Sequence, residues 1–175
     1  MDAPTPIAQP AALPGSRRYG LSASIVSVLV LLDQLTKWQV VSVMRLHESI
    51  PIIPGFFSFT YIRNSGAAFG ILAGSPAEFR LVFFGVTSVV ALVLLWTIYA
   101  RLSPTDRLGQ VSVASIFGGA IGNLIDRLRA GEVIDFLDCS IMGHHWPAFN
   151  VADAAITVGV CVLMYHFFTH KDVPL

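Results

Sequence analysis

Residues 81–100 form an unbroken run of twenty amino acids without a charged side chain. At about 1.5 Å of rise per residue, a helix of this length crosses the ~30 Å hydrocarbon core of a bilayer. The whole chain suits that environment, because 54% of its 175 residues are hydrophobic, only 13% are charged, and the mean hydropathy is +0.69. The sequence therefore predicts a membrane protein and not a soluble domain.

Three further segments are apolar enough to form membrane helices, at 21–43, 109–128 and 149–168. Together with 81–100, they predict an all-α polytopic membrane protein with four transmembrane helices and both termini on one side. We expect a single domain at 19–170. A proline-rich, disordered N-terminal tail at 1–18 precedes it, and a short C-terminal tail at 171–175 follows it.

Positive charge gives little information about which side of the membrane the termini occupy. Five Arg or Lys residues lie on the side of the termini and five lie opposite. Arg17 and Arg18, directly before the first helix, favour a cytoplasmic N-terminus. The surrounding SRRYGLSA is similar to a twin-arginine export signal, but the apolar run after it leads into DQLTK and not into a small-residue cleavage site.

Residues 45–78 form the longest stretch without membrane character. Within it, PGFFSFTYIR alternates aromatic with small or polar side chains, which is typical of a half-exposed strand. The NSG segment that follows predicts a bend at Asn64 and Gly66, where a permissive backbone can approach an extended peptide. A small sheet at the membrane surface follows from this pattern, although Asn64 can equally be a simple turn former.

The third predicted helix carries a cluster of glycines. Gly118 and Gly122 lie four residues apart, and Gly119 lies beside the first of them. Small residues at this spacing let the backbone of another helix approach closely in a membrane. We therefore predict that this helix packs tightly against a neighbouring helix.

Two aspartates lie in strongly apolar surroundings between residues 131 and 156. Asp135 lies within VIDF, and Asp153 lies in the first turn of the fourth predicted helix. An ionisable group near membrane depth costs several kcal/mol unless it is paired, hydrated or functional, so both are candidate site residues. Two close carboxylates that share one proton supply the base and the acid for peptide hydrolysis, and we predict that these two form a catalytic dyad.

Other polar residues occur at spacings that place them on one helical face. Asp33 and Lys37 lie four residues apart, so an ion pair can offset the burial of both charges or simply orient the first helix. Asn123, Asp126 and Arg127 lie together near the end of the third helix. A capped interfacial helix end explains these three residues about as well as a functional site does.

Asp126 is the main rival of Asp135 for a catalytic position, because it also lies at the predicted membrane boundary. It precedes Arg127 on the same helical turn and can be explained as the structural partner of that arginine. Asp135 has apolar residues on both sides and has no such explanation. We therefore prefer Asp135 as the catalytic residue.

The sequence gives no support for a metal, a cofactor or a nucleic-acid partner. Cys139 and Cys161 are too few and too differently placed to form a disulfide framework or a zinc site. His144 and His145 are adjacent, so their side chains point apart, and no further ligand occurs at a useful spacing. The formal net charge is zero, which leaves no basic surface for nucleic acid.

Five short motifs occur in a defined order along the chain, namely DQLTK (33–37), NSGAAFG (64–70), GNLIDR (122–127), VIDF (133–136) and FNVADAAI (149–156). In this order and spacing they resemble lipoprotein signal peptidase, the bacterial signal peptidase II family, over about residues 33–168. The resemblance implies an aspartic intramembrane endopeptidase with four transmembrane helices and a small extracytoplasmic β-sheet cradle. It also implies cleavage of bacterial prolipoproteins just before a diacylglyceryl-modified cysteine.

Each of the five motifs matches the family's functional residues to positions in this chain. The resemblance implies Asp135 and Asp153 as the catalytic pair. It also implies two supporting groups: substrate-binding residues Asn64, Gly66, Asn123, Arg127 and Asn150, and structural residues Asp33, Lys37 and Asp126. The implied partners are lipidated prolipoprotein signal peptides and membrane lipid. We expect a monomer in the bacterial cytoplasmic membrane, with cytoplasmic termini and an active site on the extracytoplasmic side.

The competing hypothesis is a membrane protein without enzymatic activity, such as a small transporter or assembly factor that uses buried charges as an ion relay. A relay predicts polar residues throughout the depth of several helices. The helix at 81–100 has no charge, and the polar residues of the third and fourth helices gather at one end. This clustering favours chemistry at one membrane surface. A presenilin-type protease is not indicated either, because the chain has no GxGD segment.

Overall fold

The computed structural model describes residues 15–66, 71–72 and 74–169, with side chains from residue 18 onward. Its elements in chain order are α1 (Gly15–Val43), β1 (Ser49–Ile53), β2 (Phe57–Asn64), α2 (Ala77–Arg101), α3 (Arg107–Ala130), β3 (Val133–Ile141), β4 (His144–His145) and α4 (Val151–Thr169). All four helices are long and apolar enough to cross a membrane. The predicted four-helix membrane fold with a small sheet is confirmed.

Helix α1 begins earlier than predicted and includes the last residues of the predicted tail. It starts at Gly15 and not at residue 21. The reason is a tertiary contact: the guanidinium of Arg18 donates to the backbone carbonyl of Tyr99 and, at 3.2 Å, to that of Leu102, both at the end of α2. Hydropathy does not register such a contact, because it depends on residues more than eighty positions away.

The other helices begin and end within four residues of the predicted boundaries. Helix α4, for example, begins at Val151 and not at residue 149. Some predicted features lie outside the described residues, namely the first part of the N-terminal tail (1–14), the C-terminal tail (171–175) and residues 67–70 of the NSGAAFG motif.

Helix α3 is the centre of the bundle. Eleven of its residues are buried, against two in α2. A side-chain carbon added to Gly122 would lie 2.6 Å from an oxygen of Asp33 on α1, and one added to Gly119 would collide with the backbone carbonyl of Ala152 on α4. The close approach of neighbouring helices predicted from the glycine spacing is therefore confirmed.

The four strands form one antiparallel sheet in the order β1-β2-β3-β4. The alternation in PGFFSFTYIR predicts β2 correctly, but β3 is not among the elements predicted from the sequence. In the structure β3 pairs along β2, with Asn64 opposite Val133 and Ile62 opposite Asp135. Its polar and apolar residues do not alternate, and its pairing partner lies about seventy residues earlier, so no local pattern indicates this strand.

Two apolar clusters fix the sheet and the helix ends. The first joins the end of α1 to the sheet through Val40, Met44, Tyr61 and Phe136. The second, which includes Tyr99 and Leu163, lies at the opposite end of the bundle. The first cluster packs β3 against the end of α1 and the start of α4.

Candidate active site

Asp135 lies on β3 with 2% of its surface exposed. Two side-chain amides hold its carboxylate: Asn64 donates to Oδ2 at 3.0 Å, and Asn150 donates to Oδ1 at 2.7 Å. Burial, and after it the negative charge of Asp153, raise the pKa of Asp135 to about 7, against the lowering effect of the two amides. This carboxyl group therefore titrates near neutral pH.

Asp153 lies in the first turn of α4, where it forms a reciprocal cap with Asn150. The backbone N–H of Asp153 donates to Oδ1 of Asn150 at 2.9 Å, and the backbone N–H of Asn150 donates to Oδ2 of Asp153 at 3.3 Å. This pattern satisfies two backbone donors that a helix start leaves open. The other carboxylate oxygen accepts from the side chain of Asn123 at 2.7 Å. The sequence thus fixes Asp153 by local helix capping and by one contact from α3.

Two asparagine amides connect the carboxylates. The NH₂ group of Asn150 donates to Asp135 and also, at 3.2 Å, to the side-chain oxygen of Asn123. The NH₂ group of Asn123 donates in turn to Asp153. The same Asn123 oxygen accepts from Lys37 Nζ at 3.0 Å, so its NH₂ group must face Asp153. The two aspartates predicted as a dyad therefore belong to one hydrogen-bond network.

Lys37 is almost fully buried and is the cation of this network. It lies 2.9 Å from an oxygen of Asp33 and 2.8 Å from one of Asp126. The predicted Asp33–Lys37 ion pair is present, and Asp33 also accepts the backbone N–H of Ala152 at 3.0 Å, which caps α4 a second time. Three charged residues therefore connect α1, α3 and the start of α4.

The expected partnership of Asp126 with Arg127 is wrong. Asp126 pairs with Lys37, and it also accepts the backbone N–H of Ile134 at 3.2 Å. Neighbouring residues on a helix point about 100° apart, so Asp126 faces Lys37 on α1 while Arg127 points toward Phe84 on α2. The Arg127 guanidinium lies 4.5 Å from the ring centre of Phe84. Within the described part of the chain, no carboxylate lies within 4 Å of it.

A cavity of about 590 Å³ opens beside the two aspartates. Five predicted site residues line it, namely Asn64, Asn123, Arg127, Asp135 and Asp153. Most of the remaining wall comes from the segment before α4 and from α4 itself: Trp146, Pro147, Ala148, Phe149, Ala154, Ile156, Thr157 and Val158. The cavity thus combines two carboxylates, two amides and one guanidinium with a largely apolar wall.

The other predicted site residues lie behind this wall. Asn150 has no exposed surface and contacts the two carboxylates from inside the protein. The backbone N–H of Gly66 donates to Oδ1 of Asn64 at 3.0 Å, which turns the NH₂ group of Asn64 toward Asp135. The structural residues Asp33, Lys37 and Asp126 also do not line the cavity.

Sequence reasoning missed the wall formed by Trp146 and the residues after it, as well as the contacts that hold this wall. Asp138 on β3 accepts from Thr60 at 3.0 Å and lies 2.8 Å from Nδ1 of His145, the residue before Trp146. The signal that could have indicated the β3–β4 hairpin is the Met142-Gly143 pair, because both residues adopt positive φ, as a tight hairpin turn requires. Within the described residues, no group of three or more His, Cys, Asp or Glu could hold a metal ion.

Solved structures contain the same fold. A bacterial membrane enzyme solved by the in meso method at 2.3 Å has a TM-score of 0.76 and 34% sequence identity to this chain, covering 87% of this chain and 90% of the other. A second such enzyme, solved at 1.9 Å, has a TM-score of 0.72 and 36% identity, covering 85% and 92%. The fold and the polar cavity at the sheet therefore define this chain as a polytopic membrane protein of a bacterial enzyme class.

Sequence comparison identifies the family within that class. The profile of the Signal peptidase (SPase) II family matches residues 25–169. The lipoprotein signal peptidase of Desulforapulum autotrophicum is 51% identical over 84% of this chain and 91% of that protein. The lipoprotein signal peptidase of Syntrophotalea carbinolica is 52% identical over 80% and 86%. The chain belongs to the signal peptidase II family and is a peptidase with several membrane-spanning helices.

Proposed function

We propose that this peptidase is an aspartic endopeptidase that removes the signal peptide from diacylglyceryl-modified bacterial prolipoproteins. Asp135 and Asp153 are its catalytic pair. The observation that carries the proposal is their arrangement: both line one cavity, and the amides of Asn123 and Asn150 connect them. Membership of the signal peptidase II family supports a lipoprotein substrate, and the arrangement of the two carboxylates supports an aspartic mechanism.

The pair shares one proton at neutral pH, since two close carboxylates in a poorly solvated site do not both ionise easily. The pKa of about 7 at Asp135 supports this state. The ionised carboxylate removes a proton from a water molecule, and the water oxygen attacks the scissile carbonyl carbon. The protonated carboxyl group donates its proton to the carbonyl oxygen. The carboxyl group that received the water proton then donates it to the amide nitrogen, the C–N bond breaks, and a hydroxyl group of the tetrahedral intermediate gives its proton to the other carboxylate, so that the pair is again singly protonated.

Substrate positioning falls to the other cavity-lining polar groups. The guanidinium of Arg127 faces the cavity without a carboxylate partner within 4 Å in the described structure, so its N–H donors are available to peptide carbonyl oxygens. If Arg127 bound the dyad directly, it would favour ionisation of both carboxylates and remove the shared proton. Its contact with the Phe84 ring keeps it beside the pair and not on it.

The shape of the cavity supports a lipid-anchored substrate. Its wall continues along α4 to Val158, whose side chain is 62% exposed on the outer surface of the helix bundle. An opening on this surface faces the hydrocarbon layer in a membrane-spanning protein. A peptide held in the bilayer by its signal helix and its diacylglyceryl group enters the cavity from that side.

The proposed orientation places the termini in the cytoplasm and the sheet and active site outside. Arg18, Arg101 and Arg107 gather at the end of the bundle opposite the sheet, because Arg18 contacts the end of α2 and Arg107 begins α3. Arginines of this kind favour the cytoplasmic side. We also propose that residues 19–170 act as one domain and that the enzyme functions as a monomer.

A cleavage assay tests the proposal. Purified protein is incubated with a diacylglyceryl-modified prolipoprotein and, in parallel, with the unlipidated form of the same protein. We expect processing of the lipidated form alone, with the new N-terminus at the modified cysteine, as determined by mass spectrometry. Equal processing of both forms contradicts the proposed substrate. Loss of turnover in well-folded Asp126→Asn, together with its retention in Asp135→Asn, contradicts the proposed dyad.

A further inference from the structure

A second cavity, of about 220 Å³, lies behind the catalytic network, between α1, the end of α3 and the start of β3. It shares no lining residue with the active-site cavity. Its floor is formed by Lys37 and Asp126, which neutralise each other at 2.8 Å. Its rim consists of Gln34, Trp38, Val41, Arg129, Ala130, Glu132 and Ile134. We call it the rear cavity.

Two opposite charges on the rim of the rear cavity are not paired with each other. In the described structure no carboxylate lies within 4 Å of the Arg129 guanidinium, and no cation lies within 4 Å of Glu132. Arg63 on β2 is close enough to Glu132 to interact electrostatically, but it also lies beyond that distance. Arg129 and Glu132 border the same cavity but do not form an ion pair with each other. A ligand that carries a negative and a positive group can therefore bind between them.

Arg129 is exposed, and its guanidinium is oriented by a hydrogen bond to the neighbouring helix. One of its terminal nitrogens donates to the side-chain oxygen of Gln34 at 3.2 Å. The NH₂ group of Gln34 donates in turn to Asp126 at 2.9 Å, so the arginine is connected to the buried ion pair. Since a guanidinium has five N–H donors, several of them remain available to a ligand.

The depth of the rear cavity corresponds to the headgroup region of a bilayer. Trp38 lies near the end of α1 with 65% of its surface exposed, and exposed tryptophans of membrane proteins concentrate at the membrane–water boundary. Val41, one turn further on, is also exposed. Beside the charged rim, these two side chains present an apolar surface to which an acyl chain can bind.

We infer that the rear cavity binds a phospholipid whose headgroup carries both a phosphodiester and a primary ammonium group, that is, a phosphatidylethanolamine. Arg129 binds the phosphate, because its planar donors match phosphate oxygens. Glu132 binds the ammonium group, and Trp38 contacts the glycerol and acyl region. A headgroup with a phosphate alone, such as phosphatidylglycerol, would leave Glu132 facing negative charge. The inference rests on the membrane-spanning fold and is independent of the proposed peptidase mechanism.

The expected consequence of binding is mechanical support for the catalytic strand. Glu132 lies three residues before Asp135, and Trp38 and Arg129 belong to the two helices whose ends meet behind β3. A lipid that binds all three side chains connects α1, α3 and the start of β3 from the membrane side. It therefore stabilises the junction on which the active site is built.

Native mass spectrometry of the detergent-solubilised protein tests this site, with dioleoyl-phosphatidylethanolamine and dioleoyl-phosphatidylglycerol added in separate titrations. We expect tighter binding of the ethanolamine lipid by about tenfold, which corresponds to ~1.4 kcal/mol. Glu132→Gln should remove this preference. Arg129→Gln should weaken both lipids, and Arg129→Lys, which keeps the charge, should weaken them less.

Arg101→Gln is the matched control, because it removes an arginine from the end of α2 on the opposite side of the bundle and should leave both titrations unchanged. Unfolding temperatures of all variants establish that they are folded. Equal affinity for the two lipids in the unaltered protein overturns the inference, as does an unchanged preference in Glu132→Gln. Binding of free glycerophosphoethanolamine as tightly as the intact lipid also overturns it, since the ligand would then be a soluble phosphate compound.

Discussion

The two ends of the helix bundle both contain buried charged groups, but only one of them has the features of a site. At the end opposite the sheet, His166 and Asp106 lie 2.9 Å apart with more than nine-tenths of each side chain buried. Asp106 also accepts the backbone N–H of Gly109 at 2.9 Å and caps α3. At the sheet end, Asp135 is buried and Asp153 is half-buried, and both face a cavity of about 590 Å³.

The difference shows that burial of a charge alone does not indicate function. At the far end Asp106 caps α3 and Arg18 binds carbonyls at the end of α2, and the adjacent cavity of about 280 Å³ has an almost entirely apolar surface. At the sheet end several amide donors converge on two carboxylates that still have an open side. The catalytic candidates differ from the structural ion pairs in that several polar side chains meet beside an accessible cavity.

Aspartate-to-asparagine substitutions at the two ends of the helix bundle should differ most in their effect on kcat. Asp135→Asn and Asp153→Asn should each lower kcat by about 10²–10⁴-fold or more, because each removes one partner in acid–base catalysis. Asp106→Asn, the same change at the far end, should retain most of the activity. Single-turnover cleavage of the lipidated substrate measures both effects. Strong loss of activity in folded Asp106→Asn would remove the proposed distinction.

Lys37→Met should strongly destabilise the sheet end. The variant leaves Asp33 and Asp126 buried without their shared cation, and breaking a buried ion pair in this way typically costs about 3–5 kcal/mol. Arg18→Met at the far end removes a cation that contacts carbonyl oxygens and the rings of two tyrosines. This change leaves no carboxylate without its ion-pair partner in the described residues, and for it we expect a loss of about 1.5–3 kcal/mol. Unfolding in detergent, followed by circular dichroism, measures the two changes. A larger loss for Arg18→Met would contradict the ranking.

Gly122→Ala should disturb the same junction through packing alone. The added methyl group would lie 2.6 Å from a carboxylate oxygen of Asp33, and overpacking of this kind typically costs about 1–3 kcal/mol. Gly85→Ala on α2 is the matched control, because its methyl group meets nothing within 4 Å. We expect a lower unfolding temperature and lower activity for Gly122→Ala only. Identical behaviour of the two variants would show that the α1–α3 contact tolerates a wider separation.

The pH dependence of kcat should arise from Asp135 at the sheet end of the bundle. Because the pKa of Asp135 is raised from 3.8 to about 7, kcat should fall as the pH rises above 7, by about tenfold per pH unit once the shared proton is lost. The folded state holds this proton more tightly than the unfolded state, so conformational stability should also decrease as the pH rises from about 4 toward 7. Asp106→Asn should show the same pH profile of kcat, measured from pH 5 to 9. A flat profile above pH 7 would contradict the shared proton.

Much of this architecture was predictable, because the relevant signals are local. Uncharged apolar runs identify the four helices, and the glycines of α3 indicate its tight packing. The position of Asp153 three residues after Asn150 indicates a capped helix start. The two aspartates were identifiable as site residues because apolar sequence surrounds them, and the structure brings both to one cavity.

The missed features depend on contacts between distant parts of the chain. The partner of Asp126 is Lys37, nearly ninety residues earlier, and helical spacing alone favoured the adjacent Arg127. Strand β3 is formed because β2 pairs with it, and no alternation in its own sequence indicates that pairing. The wall at Trp146 is positioned by Asp138 and His145 across a hairpin. Spacing rules describe neighbours on one element, whereas these contacts depend on how the elements meet.

Asn150 has a consequence for how much this protein can vary. Its NH₂ group binds Asp135 and Asn123, its oxygen caps Asp153, and none of its surface is exposed. Aspartate lacks the donors, serine is too short, and glutamine places the same groups one carbon further out. Each of these substitutions would therefore release a contact to at least one of the two aspartates, so variation that preserves the site has to occur among the residues of the cavity wall instead.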